Sequence, residues 1–180
     1  MFRSSSPSSR LPARLPARVT AVTLTAVLAG LGAAGTASSS PKAAAPASGS
    51  LRTCALGDLY LSMGRKEGAA GSLYWTIRFT NTSTTSCTLR GYPGVSALDT
   101  AHRQIGPAAH RTGEHASTVR LAPAHSASAV IRTTNGPLGG PCLRTGSYLR
   151  VYPPGSYHAD LVPARWTICS HLFDVSPIKT

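Results

Sequence analysis

The chain has 180 residues, of which 18 are Lys or Arg and 6 are Asp or Glu, giving a formal net charge of +12. Six scattered carboxylates leave a glycosidase pair to be assembled from distant loops, and four cysteines without a C-x-x-C pair give a zinc or redox motif little support. The positive charge favours an anionic partner and says nothing about the fold.

At the start of the chain, Arg3, Arg10, Arg14 and Arg18 are followed by an uncharged apolar run at residues 19–31. This is the order of a secretory signal. At about 1.5 Å per residue the run is too short for a bilayer core of roughly 30 Å. The small residues Gly35, Thr36 and Ala37 place the expected cleavage before Ser38, so that 1–37 is the signal and no transmembrane segment remains after its removal. No Cys follows the apolar run closely and no two Arg are adjacent, which favours the general secretory route over a lipid-anchored or twin-arginine one. Residues 38–50 are Ser, Pro, Ala, Gly and one Lys, a composition that buries no core and reads as a disordered spacer. One domain is expected over 51–180, long enough to bury about two thirds of its unfolded surface. Without the four signal arginines the chain still carries 14 basic and 6 acidic residues, a net of +8.

Cys54, Cys87, Cys142 and Cys169 all follow the expected cleavage point, and an even number in an exported chain reads as two disulfides. Three pairings are open. Cys54 with Cys87 and Cys142 with Cys169 are preferred because each closes a local loop near one end of the domain.

Between the cysteines the apolar pattern has period two, the mark of half-buried strands. Trp75, Ile77 and Phe79 alternate with Tyr74, Thr76 and Arg78. Cys87 and Leu89 flank Thr88, Val119 and Leu121 flank Arg120, Leu149 and Val151 flank Arg150, and Trp166 with Ile168 repeats the pattern near the end. Turn residues fall between these runs at Asn81-Thr82-Ser83, Gly91-Tyr92-Pro93-Gly94, Asn135-Gly136-Pro137, Gly139-Gly140-Pro141 and Pro153-Pro154-Gly155. No sustained helical stripe follows the signal. Seven to nine short strands at this spacing point to an all-β, two-sheet sandwich, with an immunoglobulin-like topology as one option.

No local pattern announces catalysis. Gly94-Val95-Ser96-Ala97-Leu98 lacks the second glycine of a nucleophile elbow and reads as a strand start. His110 and His115 stand five apart with Gly113 between them, where an inverted zinc-protease motif spaces its two His four apart on a helix. Together with His102 and His125 they read as loop histidines, and Gly139-Gly140-Pro141 fails as a phosphate loop because Pro removes a backbone donor. No catalytic, cofactor or metal residues are assigned. The arginines are more suggestive. Arg78, Arg90, Arg120, Arg132, Arg150 and Arg165 take the outward parity of expected strands, as do Tyr74, Tyr148 and Tyr152. If several of those strands share a sheet, Arg78, Arg120, Arg132 and Arg150 form an anionic-ligand face on which aromatics grip a sugar or polymer. The bland alternative is charge placed on strand exteriors against edge-to-edge pairing.

The strings Ala70-Gly71-Ser72, Phe79-Thr80-Asn81-Thr82 and Cys87-Thr88-Leu89-Arg90-Gly91-Tyr92-Pro93-Gly94-Val95 resemble an uncharacterised secreted actinobacterial family, domain of unknown function 4232. So do Leu121-Ala122-Pro123, Leu149-Arg150-Val151-Tyr152-Pro153-Pro154-Gly155 and the last Cys169. The resemblance covers nearly all of 51–180 and implies a β-sandwich in a secreted or envelope protein, with no activity to carry over. One departure is Pro123-Ala124, where members of that family often have Pro-Gly. The resulting expectation is a non-enzymatic binding module in the medium or at the cell surface. Its partner is an anionic cell-wall polymer or another extracellular protein rather than nucleic acid, and the alternative is an extracellular hydrolase acting on cell-wall or other polymer.

Overall fold

The computed structural model describes residues 51–180. The expected signal over 1–37 and the spacer over 38–50 lie outside the described residues. A 3-10 turn, Leu56–Asp58, leads into ten strands: β1 (Leu59–Ala69), β2 (Ser72–Asn81), β3 (Cys87–Arg90), β4 (Gly94–Leu98), β5 (His110–Arg111), β6 (Thr118–Leu121), β7 (Ser126–Thr134), β8 (Tyr148–Tyr152), β9 (Asp160–Pro163) and β10 (Asp174–Val175). Among the described residues no helix is long and apolar enough to cross a membrane.

The strands join into a five-stranded sheet in the order β1-β2-β7-β10-β5, a pair β3-β6, and a three-stranded sheet β4-β8-β9. Alternation decides which way each strand faces. On β2 and β7 the inward residues Ile77, Phe79, Ala127, Ala129 and Ile131 are buried, while Arg78 and Arg132 are exposed. Leu89, Val119 and Leu121 from the pair, and Val95, Ala97, Leu149, Val151 and Val162 from the small sheet, complete the same hydrophobic cluster. The expected all-β class, sandwich-like layering and two disulfides are therefore present.

The layer that shares its core with the large sheet differs from a single sheet in being split into two ladders. The break falls at Gly91-Tyr92-Pro93, where Gly91 takes a left-handed φ of 115° and Pro93 offers no donor, so β3 cannot run on into β4. Trp166 and Ile168 are buried as their alternation requires, but they belong to no strand. Their carbonyls accept from the backbone N–H groups of Gly146 and Leu143, in a stretch too irregular for a ladder. Arg165 is therefore exposed on a coil segment rather than on a strand.

Several turns put residues other than glycine in left-handed backbone, two of them beside the large sheet. The β1–β2 hairpin closes through Ala70 (φ 46°) and Gly71 (φ 74°), a two-residue turn with both φ positive as in type I′, and Ala124 (φ 63°) turns the chain between β6 and β7. Asn81 ties these regions together. Its buried side chain donates to the carbonyls of Thr85 (2.9 Å) and Leu121 (3.1 Å) and accepts from the Ser83 N–H (3.0 Å) and hydroxyl (2.8 Å).

Candidate anionic-ligand surfaces

The preferred cysteine pairing is the one observed. Cys54–Cys87 anchors the N-terminal approach to β3 and is buried at both ends, whereas in Cys142–Cys169 the first cysteine is exposed and the second buried.

The four candidate arginines do not form one face. Arg78 and Arg132 share the outer face of the five-stranded sheet, Arg120 lies on β6 diagonal to Arg90 of β3, and Arg150 lies on β8 of the small sheet. The outward parity read from the sequence is right for each, and the separation arises from strand order, which period-two alternation does not encode. Among the described residues none of the four makes an ion pair. The carboxylates that are paired belong to Asp58 with Arg52, Glu67 with Arg65, and Asp99 with Arg103 and Arg144.

Cross-strand register resolves the outer face of the large sheet into rows, because directly paired residues point the same way. One row runs Glu67, Tyr74, Arg132, Asp174, His110 and is close to charge-balanced. Within it the Arg132 Nε donates to the Ser72 hydroxyl at 3.1 Å, and its guanidinium carbon lies 5.8 Å from the Tyr74 ring centre. A second row runs Ser62, Arg78, Ser128, Lys179, since Lys179 bridges Ser128 through a reciprocal pair of 2.8 Å backbone hydrogen bonds. That row holds two cations and no carboxylate. Beside it is a depression of about 350 Å³ lined by Thr76, Arg78, Ser126, Ala127, Ser128 and Thr180, and the Thr80 and Ser126 hydroxyls are hydrogen-bonded to each other at 2.8 Å nearby. Hydroxyl donors around the Arg78 guanidinium, with Lys179 in the same row, suit phosphate, sulfate or carboxylate oxygens. Alternation alone did not reveal Lys179. It enters the face through an isolated bridge beyond the last strand.

The remaining candidates occupy structural positions. Ser96 is the centre of β4 and is buried. The His125 Nδ1 lies 3.1 Å from the Pro123 carbonyl oxygen, His102 packs edge-on against Tyr148, and His110 pairs in register with Asp174. Asp99 is the most fully bonded carboxylate, taking the backbone N–H groups of Ala101 and Arg103 and side-chain donors from Arg103 and Arg144, all at 2.9–3.0 Å. The Arg103 backbone N–H holds its pKa below the ordinary 3.8, and the Arg103 side chain and the Ala101 N–H help it to outweigh burial, which acts in the opposite direction. Asp58 is lowered by its side-chain hydrogen bond from Arg52.

Fold and surface together define a disulfide-stapled, nearly all-β domain whose outer faces carry unpaired cations. Residues 54–179 match the family described as domain of unknown function (DUF4232), and the chain belongs to that family. No curated protein and no solved structure matches it.

Proposed function

We propose that this is an exported, non-enzymatic binding module that holds an anionic extracellular polymer, such as a wall polymer, on the outer face of its five-stranded sheet. Export is supported by the basic-then-apolar residues 1–31 and agrees with the two disulfides. The observation that carries the binding reading is the row Ser62, Arg78, Ser128, Lys179. Arg78 of β2 and Lys179, bridged to the far side of β7, stand roughly 10 Å apart with no carboxylate side chain in the row, and Arg78 lines the hydroxyl-bearing depression beside it.

Retention of the protein on immobilised anionic wall polymer tests this. Binding should fall steeply as salt rises from about 0.05 to 0.5 M, since exposed charges are screened over that range. Arg78→Gln with Lys179→Gln should weaken it about tenfold, the scale of one to two lost charge contacts. Retention that ignores both salt and the double substitution would remove the reading.

A further inference from the structure

We propose a second binding surface, on the outer face of the small sheet, that takes an acidic oligosaccharide through Tyr148, Arg150 and Tyr152. This surface does not depend on the Arg78–Lys179 row. The three residues project from one face of β8, the central strand of that sheet, and all are half-buried. Successive same-face residues on a strand lie roughly 7 Å apart. The stripe therefore offers ring, cation and ring in line along the strand.

Its flanks are built to hold the rings in place. Tyr152 pairs with Gly94, and a β-carbon at Gly94 would come within 3.3 Å of the Tyr152 ring, so the glycine is what lets the ring lie down on the sheet. Tyr148 is braced by His102, with ring centres 5.0 Å apart and planes at 83°. The backbone N–H of His102 in turn donates to the Asp99 carbonyl in a turn secured by the Asp99 carboxylate. Aromatic faces present apolar surface with a negative quadrupole, which suits the C–H face of a sugar ring.

Charge fixes the class of sugar. Arg150 is flanked in register by Ser96 and Leu161, not by a carboxylate. Asp160 pairs with Val151 and so takes the opposite parity, and Asp99 is already bound by Arg103 and Arg144. The Arg150 guanidinium, with no ion pair among the described residues, has the fork geometry for a carboxylate. A uronate-bearing glycan supplies both the stacking face and the carboxylate. A neutral sugar or a bare inorganic anion supplies only one of them.

The test is amide chemical-shift titration of the full mature chain with a short oligouronate, a neutral oligosaccharide of the same length, and inorganic sulfate. Saturable shifts with the oligouronate should centre on Gly94, His102 and residues 148–152. Arg150→Gln and Tyr152→Ala should each weaken binding about tenfold or more. Tyr152→Phe, which keeps the ring, should bind nearly as the native chain does and shows that the sheet is intact. Arg78→Gln with Lys179→Gln should leave this titration unchanged, so its failure and that of the polymer-binding face are separable. The proposal is overturned by an absence of saturation, by equal response to sulfate or to the neutral sugar, or by shifts that map to the five-stranded sheet.

Discussion

Asn81 shows how one polar side chain can set a corner. With no exposed surface and four hydrogen bonds reaching residues 83, 85 and 121, it satisfies carbonyls that would otherwise be buried without partners. Asn81→Ala should destabilise the domain by about 2–4 kcal/mol in denaturant titration, because each orphaned buried group costs on the order of 1–3 kcal/mol. Ala124 works in the other direction. An L-residue at φ 63° carries a left-handed penalty of about 1–2 kcal/mol, so Ala124→Gly should raise stability by up to about 1 kcal/mol after the glycine's extra unfolded-state entropy. The turn at Pro123-Ala124 thus keeps a backbone conformation that favours glycine. Asp99 and Asp58 govern the acid limb. Their folded pKa values lie below the unfolded ones, so the unfolded chain binds more protons at low pH. Their stabilisation is fully present well above 3.8 and is lost as the pH falls through that value toward the lowered folded pKa. Asp99→Asn should lower stability at neutral pH and flatten the fall in melting temperature between about pH 5 and pH 2.

At the scale of elements, the two disulfides differ in access. Cys54 and Cys87 are 2% and 0% exposed, while Cys142 is exposed and follows the glycines and prolines of residues 136–141. A thiolate must reach a sulfur to exchange with it. Limited reductant followed by alkylation and peptide mass analysis should therefore label Cys142 and Cys169 well before Cys54 and Cys87, and simultaneous labelling would show that bridge opening follows global unfolding instead. Strand β1 was not read from the sequence. Its first half alternates, with Leu59, Leu61 and Met63 opposite in facing to Tyr60 and Ser62, but the register shift between Met63 and Lys66 reverses the parity before the hairpin. Lys66 is thereby brought to the face of Trp75, with its ammonium 4.5 Å from the ring centre, while the Trp75 indole N–H donates to the Gly64 carbonyl at 3.0 Å. A bulge has no composition signal of its own, so the 11-residue strand could not be read through. The facing of Arg78, Arg120, Arg132 and Arg150 was legible for the opposite reason, since each sits within a regular alternating run, three of them between two apolar residues and Arg132 between Ile131 and Thr133. Which of them share a surface was not, because strand order depends on long-range pairing.

Across the whole domain, the three ladders have no separate cores. Phe79 and Ile131 of the large sheet, Leu89 and Leu121 of the β3–β6 pair, and Leu149 and Val162 of the small sheet all belong to one buried cluster, into which Trp166 and Phe173 fit with ring centres 6.0 Å apart. Removing any ladder would expose the inner faces of the other two, at about 25 cal/mol for each Å² of apolar surface. With both bridges intact the domain should therefore unfold in one transition. Far-ultraviolet circular dichroism, tryptophan fluorescence and calorimetry should share a midpoint, with a calorimetric to van't Hoff enthalpy ratio near one. Cys54→Ala with Cys87→Ala should lower that midpoint by the equivalent of about 3–4 kcal/mol, as expected for a loop of this length, while leaving the transition single. A fluorescence midpoint well separated from the dichroism midpoint would mean that the packing around Trp75 and Trp166 is lost apart from the strands, and the core would then not be one cooperative unit. A single core holds the Tyr148–Tyr152 stripe and the Arg78–Lys179 row folded together.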